Sequence, residues 1–186
     1  MNTKILLSTI LLTLLTLSGC ASTGPSSSPG AKAEVRREAN AALKNLFQES
    51  SEARRLSAQA KGILVFPEIV KAGFIVGAHL GNGVLIKNGR VSSYYNSAAV
   101  SYGLQAGVQV HGYALFLMTN AALSHIENSA GWEIGVGPSI VLVKTGAGKT
   151  MSTTTAKDGI YAFIFDQKGV MAGLGLQGTK ITRIDP

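Results

Sequence analysis

From Lys61 to the C-terminus the apolar residues leave helical spacing and alternate, with glycine, proline and asparagine closing each short run. An alternating run buries one face of an extended chain, so this pattern commits most of the chain to β-sheet. It predicts strands over 62–66, 73–80, 84–87, 91–95, 103–111, 114–118, 133–136, 139–144, 160–165 and 169–181. The turn signals between them are Pro67, Gly81-Asn82-Gly83, Asn88-Gly89, Pro138, Asp158-Gly159 and Lys168-Gly169. Asn88-Gly89 is the strongest, because a two-residue hairpin turn needs positive φ at both positions. Glycines also recur inside the runs, with Gly73, Gly77 and Gly81 four apart and Gly103 and Gly107 likewise. Two readings stand: close approach of another segment or sheet curvature, and the floor of an apolar groove.

Before Lys61 the period differs. Val35, Ala39, Ala42/Leu43, Leu46/Phe47, Ala53, Leu56 and Ala60 recur every three or four residues, with an interruption at Ser50. This predicts amphipathic helix over 32–60, either two helices with Ser50 or Ser51 capping the second, or one irregular helix. Thr119-Asn120 followed by AALSHIE predicts a short helix ending near Asn128. The fold class is therefore α+β: N-terminal amphipathic helices on a Gly-rich, mostly antiparallel sheet, in a single domain. With 46% hydrophobic residues, 15% charged residues and a mean hydropathy of +0.24, the chain has enough apolar material for a core. Disorder is excluded.

The first residues read as a targeting segment. Lys4 precedes the apolar stretch Ile5 to Leu17, about 20 Å long as a helix and short of a ~30 Å hydrocarbon core. Leu17-Ser18-Gly19-Cys20 then resembles the bacterial lipobox, in which the cysteine thiol receives a diacylglyceryl group. Cys20 is the sole cysteine, and lipidation accounts for it where a disulfide cannot. The rival reading is an ordinary secretory signal with an incidental cysteine. The expected organisation is a signal peptide over 1–19, lipidated Cys20 with a Ser/Pro/Gly tether to residue 31, and a domain over 32–186. A tether of this composition spans roughly 18 Å, so the domain stays near the membrane. Ala21 stands where an inner-membrane retention signal would place aspartate. The expected location is thus the cell envelope, at the outer membrane, facing the periplasm or the cell surface. Loss of residues 1–19 removes only Lys4 and leaves 16 basic against 10 acidic residues. That charge suits an anionic leaflet. Nucleic acid is excluded as a partner, since no dense Lys/Arg run with interleaved aromatics is present.

The catalytic patterns fail on inspection. Ser139 to Thr150 looks like a strand entering a phosphate loop, but Val143 stands where the first glycine belongs. The β-branched and hydroxyl residues that follow do not begin a helix, so the anion site is missing. His79, His111 and His125 have no metal-ligand spacing and read as surface residues. The acids beyond Lys61 (Glu68, Glu127, Glu133, Asp158, Asp166 and Asp185) form no acid/base pair, and no serine has a GxSxG context. The expectation is no enzyme, no cofactor and no metal.

A resemblance sharpens the reading. Ala60-Lys61-Gly62-Ile63-Leu64-Val65-Phe66-Pro67, Lys71-Ala72-Gly73-Phe74 and Gly81-Asn82-Gly83-Val84-Leu85 look like the opening of the SYLF domain. Gly103-Leu104-Gln105-Ala106-Gly107-Val108-Gln109, residues 115–120, Gly135-Val136-Gly137-Pro138 and Lys168-Gly169-Val170-Met171-Ala172-Gly173 follow in order. The resemblance spans roughly residues 32–184. It implies a lipid-binding module whose basic N-terminal helix takes part in membrane contact, with bacterial members often lipoproteins. Carried over by position, Lys32, Arg36, Arg37, Lys44, Arg54 and Arg55 become candidate phosphate contacts, and reversing Arg54 and Arg55 should weaken vesicle binding. The actin binding of some members has no role for an exported protein and is not carried over. The expected function is phospholipid binding at the envelope, to anionic or phosphoinositide-like head groups. The alternative is a structural or protein-interaction component of the envelope, indifferent to head group.

Overall fold

The computed structural model describes residues 29–128, 131–133, 140–144 and 159–184. Its elements are α1 (Pro29–Glu49), α2 (Ser51–Ser57), β1 (Gly62–Lys87), β2 (Arg90–Leu117), α3 (Asn120–Asn128), β3 (Trp132–Glu133), β4 (Ile140–Lys144) and β5 (Ile160–Ile184). The fold is α+β, as expected. One sheet runs in the order β1-β2-β5-β3, with β4 parallel to β5 and the other pairs antiparallel. The expected signal peptide, Cys20, the expected tether up to residue 28, the turn signals at Pro138 and Asp158, and the part of the phosphate-loop pattern over 145–150 lie outside the described residues.

The helices form where periodicity placed them. α1 begins at Pro29, ahead of the first periodic residue, because proline at the first helical position lacks only an N–H that would be unpaired anyway. It buries Ala39, Ala42, Leu43 and Leu46. The interruption is a true helix boundary: the Ser50 hydroxyl accepts from the Ala53 N–H at 3.1 Å and caps α2. Thr119 caps α3 in the same way, accepting from the Ala122 N–H at 3.1 Å.

The strands depart from expectation in length. Eight of the ten predicted strand pieces merge into β1, β2 and β5, three of them into β1 alone. Asn88-Gly89 is the turn foreseen, with φ of 50° and 73°. Pro67 does not end a strand. It falls in the register gap between Phe66 and Ile69, a bulge where its missing N–H costs no ladder bond. Gly81-Asn82-Gly83 stays paired throughout, opposite Ser97, Asn96 and Tyr95. Its glycines serve close approach: a Cβ on Gly83 would run into the Val65 carbonyl oxygen and the Phe66 ring.

That contact shows that β1 doubles back on itself, residues 62–69 lying against 81–86. The fold-over occurs at one corner. Between the pairs Phe74↔Ala106 and Val76↔Tyr102, β1 spends a single residue, Ile75, where β2 spends Gly103, Leu104 and Gln105. The shorter path is the inside of the bend. There a Cβ on Gly73 would strike the backbone of Gly77, so the inside strand turns only with glycine at this point.

The packed core lies at the end of the sheet remote from this corner. One face of its first half packs Val65, Ala114, Phe116, Tyr161, Phe163 and Phe165 against α1 and α2. The other face packs Leu64, Phe66, Leu115, Leu117 and Ile160 against Leu85, Tyr95 and the α3 residues Ala122 and Ile126. Burial on both faces explains why Leu115, Phe116 and Leu117 are consecutively apolar. An ion pair at 2.5 Å between Lys87 Nζ and Glu127 Oε1 ties α3 to the hairpin end.

Candidate functional site

Apolar side chains left in water mark the corner. Phe74 is 75% exposed, Val170 78%, Tyr102 69% and Val100 67%, with Ile75, Val76, Leu80 and Val108 exposed beside them. These residues come from β1, β2 and β5 and meet because all three strands round the same bend. Scattered exposed apolar residues are ordinary, whereas a contiguous patch marks an interaction surface. Ile75 carries φ of 65°, a left-handed conformation that costs a β-branched residue roughly 1–2 kcal/mol. Strain of this kind persists at functional sites when the surrounding structure holds it in place.

The charges around the corner have one sign. The sequence has no Asp or Glu from Ile69 to Ile126 or from Gln167 to Ile184. Lys71 and Lys168 flank the apolar residues on β1 and β5.

Behind the corner, between the two halves of the folded sheet, lies a cavity of about 310 Å³. Lys71 and His79 reach it from β1, Gln109, His111 and Tyr113 from β2, and Gln167 and Thr179 from β5. His79 Nε2 lies 2.9 Å from the Ser97 hydroxyl, and its ring stands edge-on to that of His111 at 6.2 Å. Burial pushes the His79 imidazole down to about 4, helped by His111 and the Lys71 charge. His111 is lowered by the same burial and by Lys71, and burial pushes the Tyr113 phenol up to about 12. Both imidazoles are thus neutral at pH 7, and neither is the surface residue that the sequence suggested. Among the described residues no group of three or more His, Cys, Asp or Glu could hold a metal ion.

The six basic residues foreseen in the sequence lie near the opposite end. Arg36, Arg37 and Lys44 are exposed on α1, with Arg37 3.6 Å from Glu34. Lys32 Nζ sits 5.9 Å above the Tyr94 ring. Arg54 donates to the Phe47 carbonyl at 2.5 Å, and Arg55 grips both carboxylate oxygens of Glu52. Lys44 and Arg54 share an open groove of about 720 Å³ with Phe47 and the Asn88-Gly89 turn. The apolar stripe of α1 is buried in the core, packed on the sheet. Tyr94 pairs with Val84, nine residues along β1 from Ile75, so at ~3.3 Å per residue the basic helix is on the order of 30 Å from the corner.

The corner is the feature that the sequence reading missed. Its signal was present: Phe74-Ile75-Val76 is a consecutive apolar triplet between glycines in a stretch without carboxylates, where a half-exposed strand would alternate.

Residues 98–185 match the Ysc84 family, described as Las17-binding protein actin regulator. The similarity covers just under half of the chain and falls within the stretch over which the sequence resembles the SYLF domain. The match begins in the middle of β2 and runs through β5. Tyr102, Val108 and Val170 of the corner lie inside it; the basic helices do not. Among curated proteins none matches the chain.

Proposed function

We propose that this SYLF-type domain binds membrane phospholipid by placing the folded corner of its sheet in the bilayer interface. The exposed apolar corner formed by Phe74, Ile75, Val76, Tyr102 and Val170 carries this reading. Amphipathic surfaces bind an interface through buried apolar area together with attraction of cations to anionic lipid. The corner supplies the first, and Lys71 and Lys168, without a carboxylate in the surrounding stretches, supply the second. Acylation of Cys20 and export to the envelope belong to the same proposal, with the acyl chains holding the domain at the leaflet. Arg36, Arg37 and Lys44 are then auxiliary contacts for head groups.

Co-sedimentation of residues 29–186, which hold every described element, with neutral and anionic vesicles at two salt concentrations tests the proposal. Binding that favours anionic vesicles and survives moderate salt through its apolar part is the expected result. Indifference to every lipid composition, together with a specific co-purifying envelope protein, would instead establish the corner as a protein-docking surface.

A further inference from the structure

The cavity behind the corner has the composition of an oxyanion site. Its polar lining is Lys71, His79, Gln109, His111, Tyr113, Gln167 and Thr179, every one able to donate a hydrogen bond and none an acid. Neither Glu68 nor Asp166, the carboxylates nearest in sequence, is part of the lining. Among the described residues Lys71 therefore has no counter-ion in the lining, and its charge is felt by both imidazoles. His111 Nδ1 is buried and has no hydrogen-bond partner among the described residues. A buried polar nitrogen left unpaired is costly, so such groups signal a bound water, ion or ligand. The ammonium of Lys71 repels a metal cation, and two imidazoles are too few to hold one; an anion satisfies both the charge and the orphan nitrogen.

We infer that the cavity between the two halves of the sheet, lined by Lys71, His79, Gln109, His111 and Gln167, binds a phosphate group. At about 310 Å³ it holds a phosphate with part of its ester substituent. Lys71 lies four residues before Ile75, on the order of 13 Å behind the corner along the strand. Amphipathic surfaces sink roughly 5–10 Å into the boundary between head groups and acyl chains. A corner seated to that depth brings the mouth of the cavity to the level of the lipid phosphates. The lipid form of the inference rests on the membrane reading above; the phosphate site itself does not.

The test follows the histidine side-chain resonances of the full-length protein in non-ionic detergent, with ¹⁵N-labelled histidine. Inorganic phosphate is the first probe, and nanodiscs of neutral or phosphatidic-acid lipid are the second. Saturable shifts of His79 and His111 on adding phosphate, with His125 on α3 unmoved, are expected. Lys71→Gln should weaken that binding about five- to tenfold. No shift of His79 or His111 in the wild-type protein, or an equal shift of His125, overturns the site. Shifts with phosphate but not with phosphatidic-acid nanodiscs overturn the lipid form and retain a site for soluble phosphate. Anionic nanodisc binding without any phosphate shift overturns the cavity while leaving the membrane-binding corner standing.

Discussion

Replacing Phe74 with serine separates the corner from every other membrane contact. The side chain is 75% exposed, so with roughly 200 Å² for a phenylalanine about 150 Å² is available for transfer out of water. At about 25 cal/mol per Å² full transfer is worth about 4 kcal/mol, and half that depth about 2 kcal/mol. A loss of about 2 kcal/mol lowers the vesicle partition coefficient roughly 30-fold. The fold should hardly notice: a solvent-facing substitution changes stability by no more than about 0.5 kcal/mol. Residues 29–186 with and without Phe74→Ser are titrated with anionic vesicles, while urea midpoints confirm equal stability. Reversing Arg54 and Arg55 is the paired control. They lie on the order of 30 Å from the corner, several times the ~8 Å screening length at physiological salt, and both are engaged within the helices. Their reversal should reduce binding by less than Phe74→Ser does, and only at low salt. If Phe74→Ser binds like the wild type while the arginine reversal abolishes binding, the corner reading is wrong and the helix is the membrane contact.

The corner and cavity also govern stability. Ile75→Gly removes the left-handed strain, worth roughly 1–2 kcal/mol less the added freedom of the unfolded chain; Tm should rise by about 2–4 °C while vesicle binding weakens, and a fall in Tm refutes the strain argument. Gly73→Ala drives a Cβ into the Gly77 backbone, which has no side chain to yield, and should cost at least about 1–3 kcal/mol by urea unfolding. For His79, burial favours the neutral ring and sets its folded value near 4 against 6.5 unfolded. Its contribution is complete above pH 6.5 and is lost as pH falls towards 4, roughly 1–2 kcal/mol after allowance for partial solvation. His79→Gln should flatten that acid limb of the stability curve; parallel curves for variant and wild type would show that other groups cause it.

Much of the fold was legible because the two periods that encode it are local. The helices, the break at Ser50, the Asn88-Gly89 turn and the Thr119 cap each depend on neighbouring residues, and each stands as read. Strand lengths were not legible, because glycine and proline have two uses that look identical in sequence. Gly81-Asn82-Gly83 reads as a turn, yet it remains in the ladder and thins the backbone so that Val65 and Phe66 can lie over it. The distinction depends on a contact across more than a dozen residues of chain. The cavity was hidden for the same reason: His79 and His111 are 32 positions apart and meet only once β1 has doubled back. Scanning for histidine spacing therefore placed them on the surface, where no spacing rule could have corrected it.

The separation of corner and basic helix also restricts how an anchored molecule can sit. If Cys20 is acylated as proposed, the nine residues 20–28 allow at most about 30 Å between the anchor and Pro29. Under that proposal the start of α1 would be held within about 30 Å of the leaflet. The corner lies on the order of 30 Å from the basic helix along the strands, so an upright molecule with α1 nearest the membrane would hold Phe74 out of reach. Both contacts are made only if the long axis of the folded sheet lies along the surface or tilts with the corner down. Lengthening the tether with a flexible Gly/Ser insert relaxes this constraint for the acylated protein and does not affect the unacylated domain. Protection of Phe74 from a water-soluble label, introduced there as Phe74→Cys, should then rise with tether length in the acylated protein. Protection that is complete at the native length and insensitive to the insert would mean that the domain already lies flat, with α1 and the corner sharing one leaflet.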